Sequence, residues 1–178
     1  TTYVRDADKA RQKFGVELSN LTIVTGDLGD EELVTTAVKD HDSVISCLAS
    51  FEPPHDSMSV LTRSLLRAAE RVDRKAIRFV AYSLCGVEDD GDWVSHAIQN
   101  TLGIFSPHKF GPAISDHKNV IELLESSVID YTLFQTATMV NKPIGRAYTS
   151  GSPEDCPGVR LWDRWGVLDA ADVCLDAL

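Results

Sequence analysis

The chain has 178 residues, 43% of them hydrophobic, which suffices for one domain with a sizeable core and is too short to argue for two. A formal charge of −10 without any basic run disfavours nucleic acid as a partner, so an anionic ligand has to be held by local features. Cys47, Cys85, Cys156 and Cys174 are scattered with no C-x-x-C pair, the pattern of reduced thiols. No apolar run approaches the roughly 20 residues of a membrane span and no signal peptide opens the sequence, so the expected setting is cytoplasmic with no membrane partner.

In chain order, residues 1–5 (TTYVR) read as the end of a strand already in progress, and Asp6 is placed to cap a helix through Phe14. Residues 21–50, LTIVTGDLGDEELVTTAVKDHDSVISCLAS, read as strand, turn, helix, strand. The apolar runs 21–24 and 43–48 do not alternate with polar residues, which suits strands of a parallel sheet covered on both faces. Between them Glu31 and Glu32 favour a helix start, and Leu33, Val34, Ala37 and Val38 recur at helical spacing. A parallel crossover brings strand C-termini to one edge, where doubly wound proteins bind ligands, so Asp27 and the segment Cys47, Leu48 and Ala49 are expected to line one crevice.

Beyond a Pro53-Pro54 loop a helix capped by Asp56 or Ser57 buries Met58, Leu61, Leu65, Ala69 and Val72. Residues 77–82 form the next strand and end at Ser83. Residues 88–112 show no clear period and read as an irregular lid or substrate wall, part of a substrate-side insertion at about 88–114. A helix starts at Ser115 or Asp116, a strand covers 129–134, and 135–145 read as a loop past its tip. A hairpin-like insertion at about 140–160 precedes a short strand around Trp165 and a last helix capped by Asp169. The fold class is α/β, one domain over 1–178, a doubly wound parallel sheet with helices on both faces. No G-x-x-G-x-x-G loop precedes residue 5, so the first strand and glycine-rich loop are expected to lie outside this sequence, with a partner chain or a rearranged sheet as the alternative.

The segments VRDADK, VTGDLGD, DSVISCLAS, RFVAYS, SDHKNVIELLESSVIDYTLF and KPIGRAYT occur in one order over nearly the whole chain. Taken together they resemble the atypical short-chain dehydrogenase/reductases of the NmrA-like NAD(P)-binding group, a Rossmann-like family. The resemblance implies NADP (NADPH) as cofactor, with Arg5 on the 2′-phosphate and Asp27 and Leu28 beside the adenine. It places Cys47, Leu48 and Ala49 beneath the adenosine and pyrophosphate, and Ser83 near the nicotinamide. Thr136, Thr138 and Met139 match the loop that covers the nicotinamide, although the family commonly has a proline-containing segment at 135–137 and its flavin-reducing members a histidine at Met139.

Plainer roles compete with these: a solvated helix-start arginine for Arg5, an Asx turn for Asp27, strand-end packing for Cys47 and Ser83. The Tyr-x-x-x-Lys pair of ordinary short-chain dehydrogenases is missing, since Gly86, Gln135 and Ser152 stand four residues after Tyr82, Tyr131 and Tyr148. Asp116 and His117 are left as groups able to donate or relay a proton, with a surface or capping role as the alternative for the histidine. No metal site is expected, because His55, His96 and His108 lack ligand spacing. Two functions follow: a reductase passing hydride from NAD(P)H to a conjugated small molecule such as a flavin, quinone or tetrapyrrole, with Ser83 and His117 as catalytic candidates, or a non-catalytic NAD(P)-binding redox sensor. A homodimer or a regulatory protein partner stays open.

Overall fold

The structure, a computed structural model, describes residues 1–14, 20–49, 53–72, 77–84, 97, 101, 104–105, 107–136, 138–140 and 164–178. Strands and helices alternate along the chain as β1 (Thr2–Val4), α1 (Ala7–Phe14), β2 (Ile23–Thr25), α2 (Glu31–Val38), β3 (Ser43–Ser46), α3 (Ser57–Arg71) and β4 (Arg78–Leu84). They continue as α4 (Pro107–Glu125), β5 (Asp130–Thr136), β6 (Thr138–Val140), β7 (Arg164–Gly166) and α5 (Val167–Asp176). Every ladder is parallel: β1 with β2, β3 with β4 with β5, and β6 with β7. This is the α/β alternation that the apolar runs predict.

The strands of the 21–50 unit do not pair with each other, because β2 joins β1 and β3 joins β4, in separate ladders. Among the described residues, one edge of β1 and one edge of β3 therefore carry no partner strand. Local patterning reports that a segment is a buried strand, not which strand lies beside it.

The core forms where α2, α3 and α4 pack over the three-stranded ladder. Val34 and Val38 of α2, Met58, Leu65 and Ala68 of α3, Phe79 and Ala81 of β4, and Val120 and Leu124 of α4 make one buried cluster. In β4, Phe79, Val80, Ala81, Tyr82 and Ser83 are all buried. Successive side chains of a strand face opposite sides, so this strand is covered on both, and burying Phe79 alone is worth roughly 1.5–3 kcal/mol. Helix α3 turns Ser59, Thr62, Ser64 and Ala68 inward as well as Met58 and Leu65, whereas Leu61, Ala69 and Val72 are only half-buried. Glu31 in the first turn of α2 binds both Arg67 and Arg71 of α3 and locks the two helices side by side.

Local chemistry sets the turn after β2. The Tyr3 hydroxyl donates to the Asp27 carbonyl at 2.6 Å, passing over Gly26. A Cβ on Gly26 would sit 2.3 Å from Tyr3 Oη and 2.7 Å from Leu33 Cδ1, so the close approach of β1 to this turn requires glycine. Gly26→Ala is expected to destabilise the fold by about 1–3 kcal/mol in urea unfolding, and adding Tyr3→Phe should recover part of the loss by removing the nearer clashing atom. A Gly26→Ala protein as stable as the parent would contradict this packing.

Candidate active site

Two groups of strand ends carry the residues singled out by sequence. In the first, β1 and β2 run parallel with Val4 opposite Thr25, and Gly26 N donates to Val4 O at 3.1 Å. Arg5 and Asp27 thus leave adjacent strand ends at the same edge. Arg5 is exposed, and its guanidinium has no acidic partner among the described residues. Asp27 Oδ1 accepts from Gly29 N at 2.9 Å, an Asx turn, which makes the plainer reading of this residue true for one oxygen. Leu28, beside it, is half-buried.

The second group follows β3, β4 and β5. Cys47 and Ala49 are exposed just past β3, while half-buried Leu48 packs against the core. Ser83 lies opposite Gln135 and Leu84 opposite Thr136, so β4 and β5 end level with one another. Strand β5 runs through Thr136, and Thr138 and Met139 belong to β6, paired with Arg164 and Trp165. The loop expected at 135–145 is therefore strand on both sides of residue 137. The insertion at about 140–160 lies outside the described residues except for Val140.

Helices α3 and α4 join the two groups. Gly29 lies against the first turn of α3, where a Cβ would approach Val60 Cγ1 to 3.7 Å. That turn is capped from another helix. Asp56 precedes α3 without a side-chain cap bond. Instead Asp116 of α4 accepts from Met58 N at 3.0 Å and Ser59 N at 3.1 Å, one backbone donor on each carboxylate oxygen. A cleft of about 400 Å³ beside this cap is lined by His55, Asp56, Pro112, Ser115, Asp116 and Asn119, and its two carboxylates make it unsuited to phosphate.

Residue 117 is next on α4. His117 is 1% exposed and its Nδ1 stands 3.4 Å from Ser83 Oγ, itself 1% exposed. The ring meets Tyr82 edge-on with centroids 6.0 Å apart. Burial drives the His117 pKa from 6.5 down to about 4, against the opposing pull of the Asp116 charge, so the imidazole is neutral at pH 7. The helix does not start at Ser115 or Asp116 as the pattern suggests; it runs from Pro107, which puts both residues inside it. His117 is accordingly a buried partner of Ser83, not a surface or capping residue, and Asp116 spends both oxygens on α3. Sequence patterning gave no sign of this cap, which depends on a contact across 58 residues.

The family model for NAD(P)H-binding proteins matches residues 1–178. The chain belongs to this NAD(P)H-binding family. No curated protein matches the sequence. Among solved structures, a short-chain dehydrogenase/reductase from Veillonella parvula in complex with NADP is similar at 13% identity and a TM-score of 0.66, over 98% of this chain and 72% of that one. An anaerobilin reductase from Escherichia coli O157:H7 gives 18% identity and a TM-score of 0.64 over 98% of this chain and 73% of its own. A Rossmann-fold NAD(P)-binding protein from Shigella flexneri gives 17% and 0.62, over 98% and 70%. Likeness at these identities shows the Rossmann-like fold. Among the described residues no helix is long and apolar enough to cross a membrane.

Two outcomes test the pair and its cap. Asp116→Ala is expected to cost about 3 kcal/mol in urea unfolding, because two backbone donors at the start of α3 lose a charged acceptor. Unfolded His117 takes up a proton below about pH 6.5, whereas the folded residue resists until about pH 4. Its contribution, on the order of 3 kcal/mol, is present above pH 6.5 and is lost as pH falls towards 4. Unfolding free energies measured at pH 7, 5.5 and 4.5 should fall along this series, and His117→Leu should flatten the slope; an unchanged slope would assign it to other groups.

Proposed function

We infer that this protein is an NADPH-dependent reductase whose acceptor is a flat conjugated molecule such as a flavin, quinone or tetrapyrrole. The observation that carries the reading is the buried Ser83–His117 pair at the C-terminal end of the middle strand of its ladder, where doubly wound folds hold ligands. The chain suits the dinucleotide on two further counts. Arg5 is a solvent-facing guanidinium with no internal acid to neutralise it among the described residues of a protein of net charge −10. Asp27 commits only one oxygen to its turn.

In this reading Arg5 takes the 2′-phosphate bidentately and the second oxygen of Asp27 accepts from the adenine amine, with Leu28 alongside. Backbone at Cys47, Leu48 and Ala49 passes beneath the adenosine and pyrophosphate, and Ser83, Thr136, Thr138 and Met139 frame the nicotinamide end. Bound NADPH supplies the hydride. The protein's task is to hold an acceptor against that face, which needs few side chains and fits a site without a Tyr/Lys pair. A histidine that charges only near pH 4 is no proton source at neutral pH, so the acceptor's proton comes from solvent.

A dinucleotide sensor without turnover is the second reading. It is favoured by β5 and β6, which make ladder backbone of the segment that a reductase of this type would fold over the nicotinamide. Fluorescence titration with NADPH and NADH, followed by loss of nicotinamide absorbance with a panel of flavins, quinones and tetrapyrroles, separates the two. Arg5→Ala should weaken NADPH about tenfold or more and leave NADH unchanged. Equal weakening of both would remove Arg5 from the 2′-phosphate, and tight NADPH binding without oxidation by any acceptor would favour the sensor.

A further inference from the structure

Tyr3 of β1 and Val44 of β3 pack against one buried cluster, and α2 and α3, tied together by Glu31, close it on one side. The two strands nevertheless stand in separate ladders, each with one edge unpaired among the described residues. It is β1 and not β2 that reaches the shared cluster, so the free edge of β1 is the one turned towards β3. Hydrogen bonds show which backbone groups face the gap. Along a strand the N–H and C=O of one residue point the same way, and those of the next point the other way. Thr2 N donates to Thr22 O at 2.8 Å and Val4 O accepts from Gly26 N at 3.1 Å, so Thr2 and Val4 face β2 and Tyr3 faces the gap. Arg78 N donates to Asp42 O at 2.9 Å, so Asp42 and Val44 face β4, while Ser43 and Ile45 face the gap. Backbone groups this close to a core need partners. All of β1 and the first three residues of β3 are only half-buried, against full burial from Phe79 to Ser83 of β4.

We propose that the gap between β1 and β3 takes one further strand, parallel to both, and that this strand belongs to the segment of the same protein that precedes residue 1. A strand beside β1 and parallel to it reaches β1 by a crossover, and such crossovers are right-handed almost without exception. The step from β2 to β3 crosses the gap with α2 on the side of the core. A step from the gap into β1 runs the opposite way, so its helix lies on the other face of the sheet, over Val4 and Ile45, which alternate with Tyr3 and Val44 and are half-buried. One strand and one helix thus pair Tyr3, Ser43 and Ile45 and cover the second face. A free peptide strand would pair the edges and leave that face bare. The fold has room for such a unit, since this chain spans 72% of the Veillonella structure. The added strand ends between Arg5 and the segment from Cys47 to Ala49, and makes one floor of the two groups of strand ends. This holds whatever ligand the floor carries, so it does not rest on the reductase reading.

The test sets the polypeptide isolated from its natural source beside the 178-residue chain. Mass spectrometry of the natural polypeptide should find further residues ahead of residue 1, and a polypeptide that starts at residue 1 overturns the proposal. In hydrogen exchange the amides of Tyr3, Ser43 and Ile45 should be protected in the natural polypeptide like those of Phe79 to Ser83, and should exchange at least about tenfold faster in the 178-residue chain. Protection already present in the 178-residue chain, whether sedimentation shows a monomer or a dimer, assigns the gap to another occupant and overturns the proposal. Two proline variants of the natural polypeptide give an answer even if the shorter chain does not fold. Val44→Pro removes an N–H that faces β4, and Ile45→Pro one that faces the gap. Both are expected to unfold the natural polypeptide or to lower its urea midpoint alike. Tolerance of Ile45→Pro beside failure of Val44→Pro would mean that β3 keeps an open edge, and the added strand would be wrong.

Discussion

The carboxylate of Asp116 ties two helices of the core together. It stands on one helix and satisfies the first backbone donors of another, so the start of α3 is fixed to the middle of α4 by two charge-assisted hydrogen bonds inside the protein. The helix dipole of α3 favours negative charge at this end, and a buried carboxylate gains more from it than an exposed one. One residue further along, His117 is carried to Ser83, so whatever moves the cap moves the pair. The turn bearing Asp27 rests on the same end of α3 through Gly29 and Val60. The turn after β2 and the Ser83–His117 contact therefore both adjoin one helix start.

Much of the fold was legible because the chain obeys simple periodicities. The apolar runs at Ile23, Val44 and Phe79 are strands, the Leu33 to Val38 spacing is a helix, and Asp6 caps α1 by accepting from Lys9 N at 2.9 Å. Helix α4 was read too short for a physical reason. Pro107, Gly111 and Pro112 are residues that ordinarily interrupt helices, and they crowd its first turns, so only the part from Ser115 on keeps an unbroken pattern. Helix α5 was likewise begun late, at Ala170, because Asp169 resembles a cap although it lies within the helix.

For the candidate site, patterning marks strand tips and cannot show contacts between elements. Strand tips named Arg5, Asp27, Ala49 and Ser83, since the ends of parallel strands must gather at an edge. The resemblance to NmrA-like reductases gave them roles, and the family match over the full chain bears out NAD(P)H binding as the theme. The contact between Ser83 and His117 joins positions 34 apart, and no local rule forecasts that. A buried histidine with a lone polar neighbour looks in sequence like any other histidine on a helix.

At the opposite end of the middle ladder, Arg78 opens its guanidinium over two pieces of chain, the C-terminal end and β5. Nε donates to the Ala177 carbonyl at 2.9 Å, Nη2 to Thr132 Oγ1 at 2.7 Å, and Nη1 pairs with Asp130. The last helix is fastened there, a strand's length from Ser83. On the proposed function, anchorage and chemistry are segregated along β4, and tolerance to mutation should be graded with them: changes near the arginine are felt as loosening of the whole assembly, and changes near the serine as altered chemistry in a body that still stands.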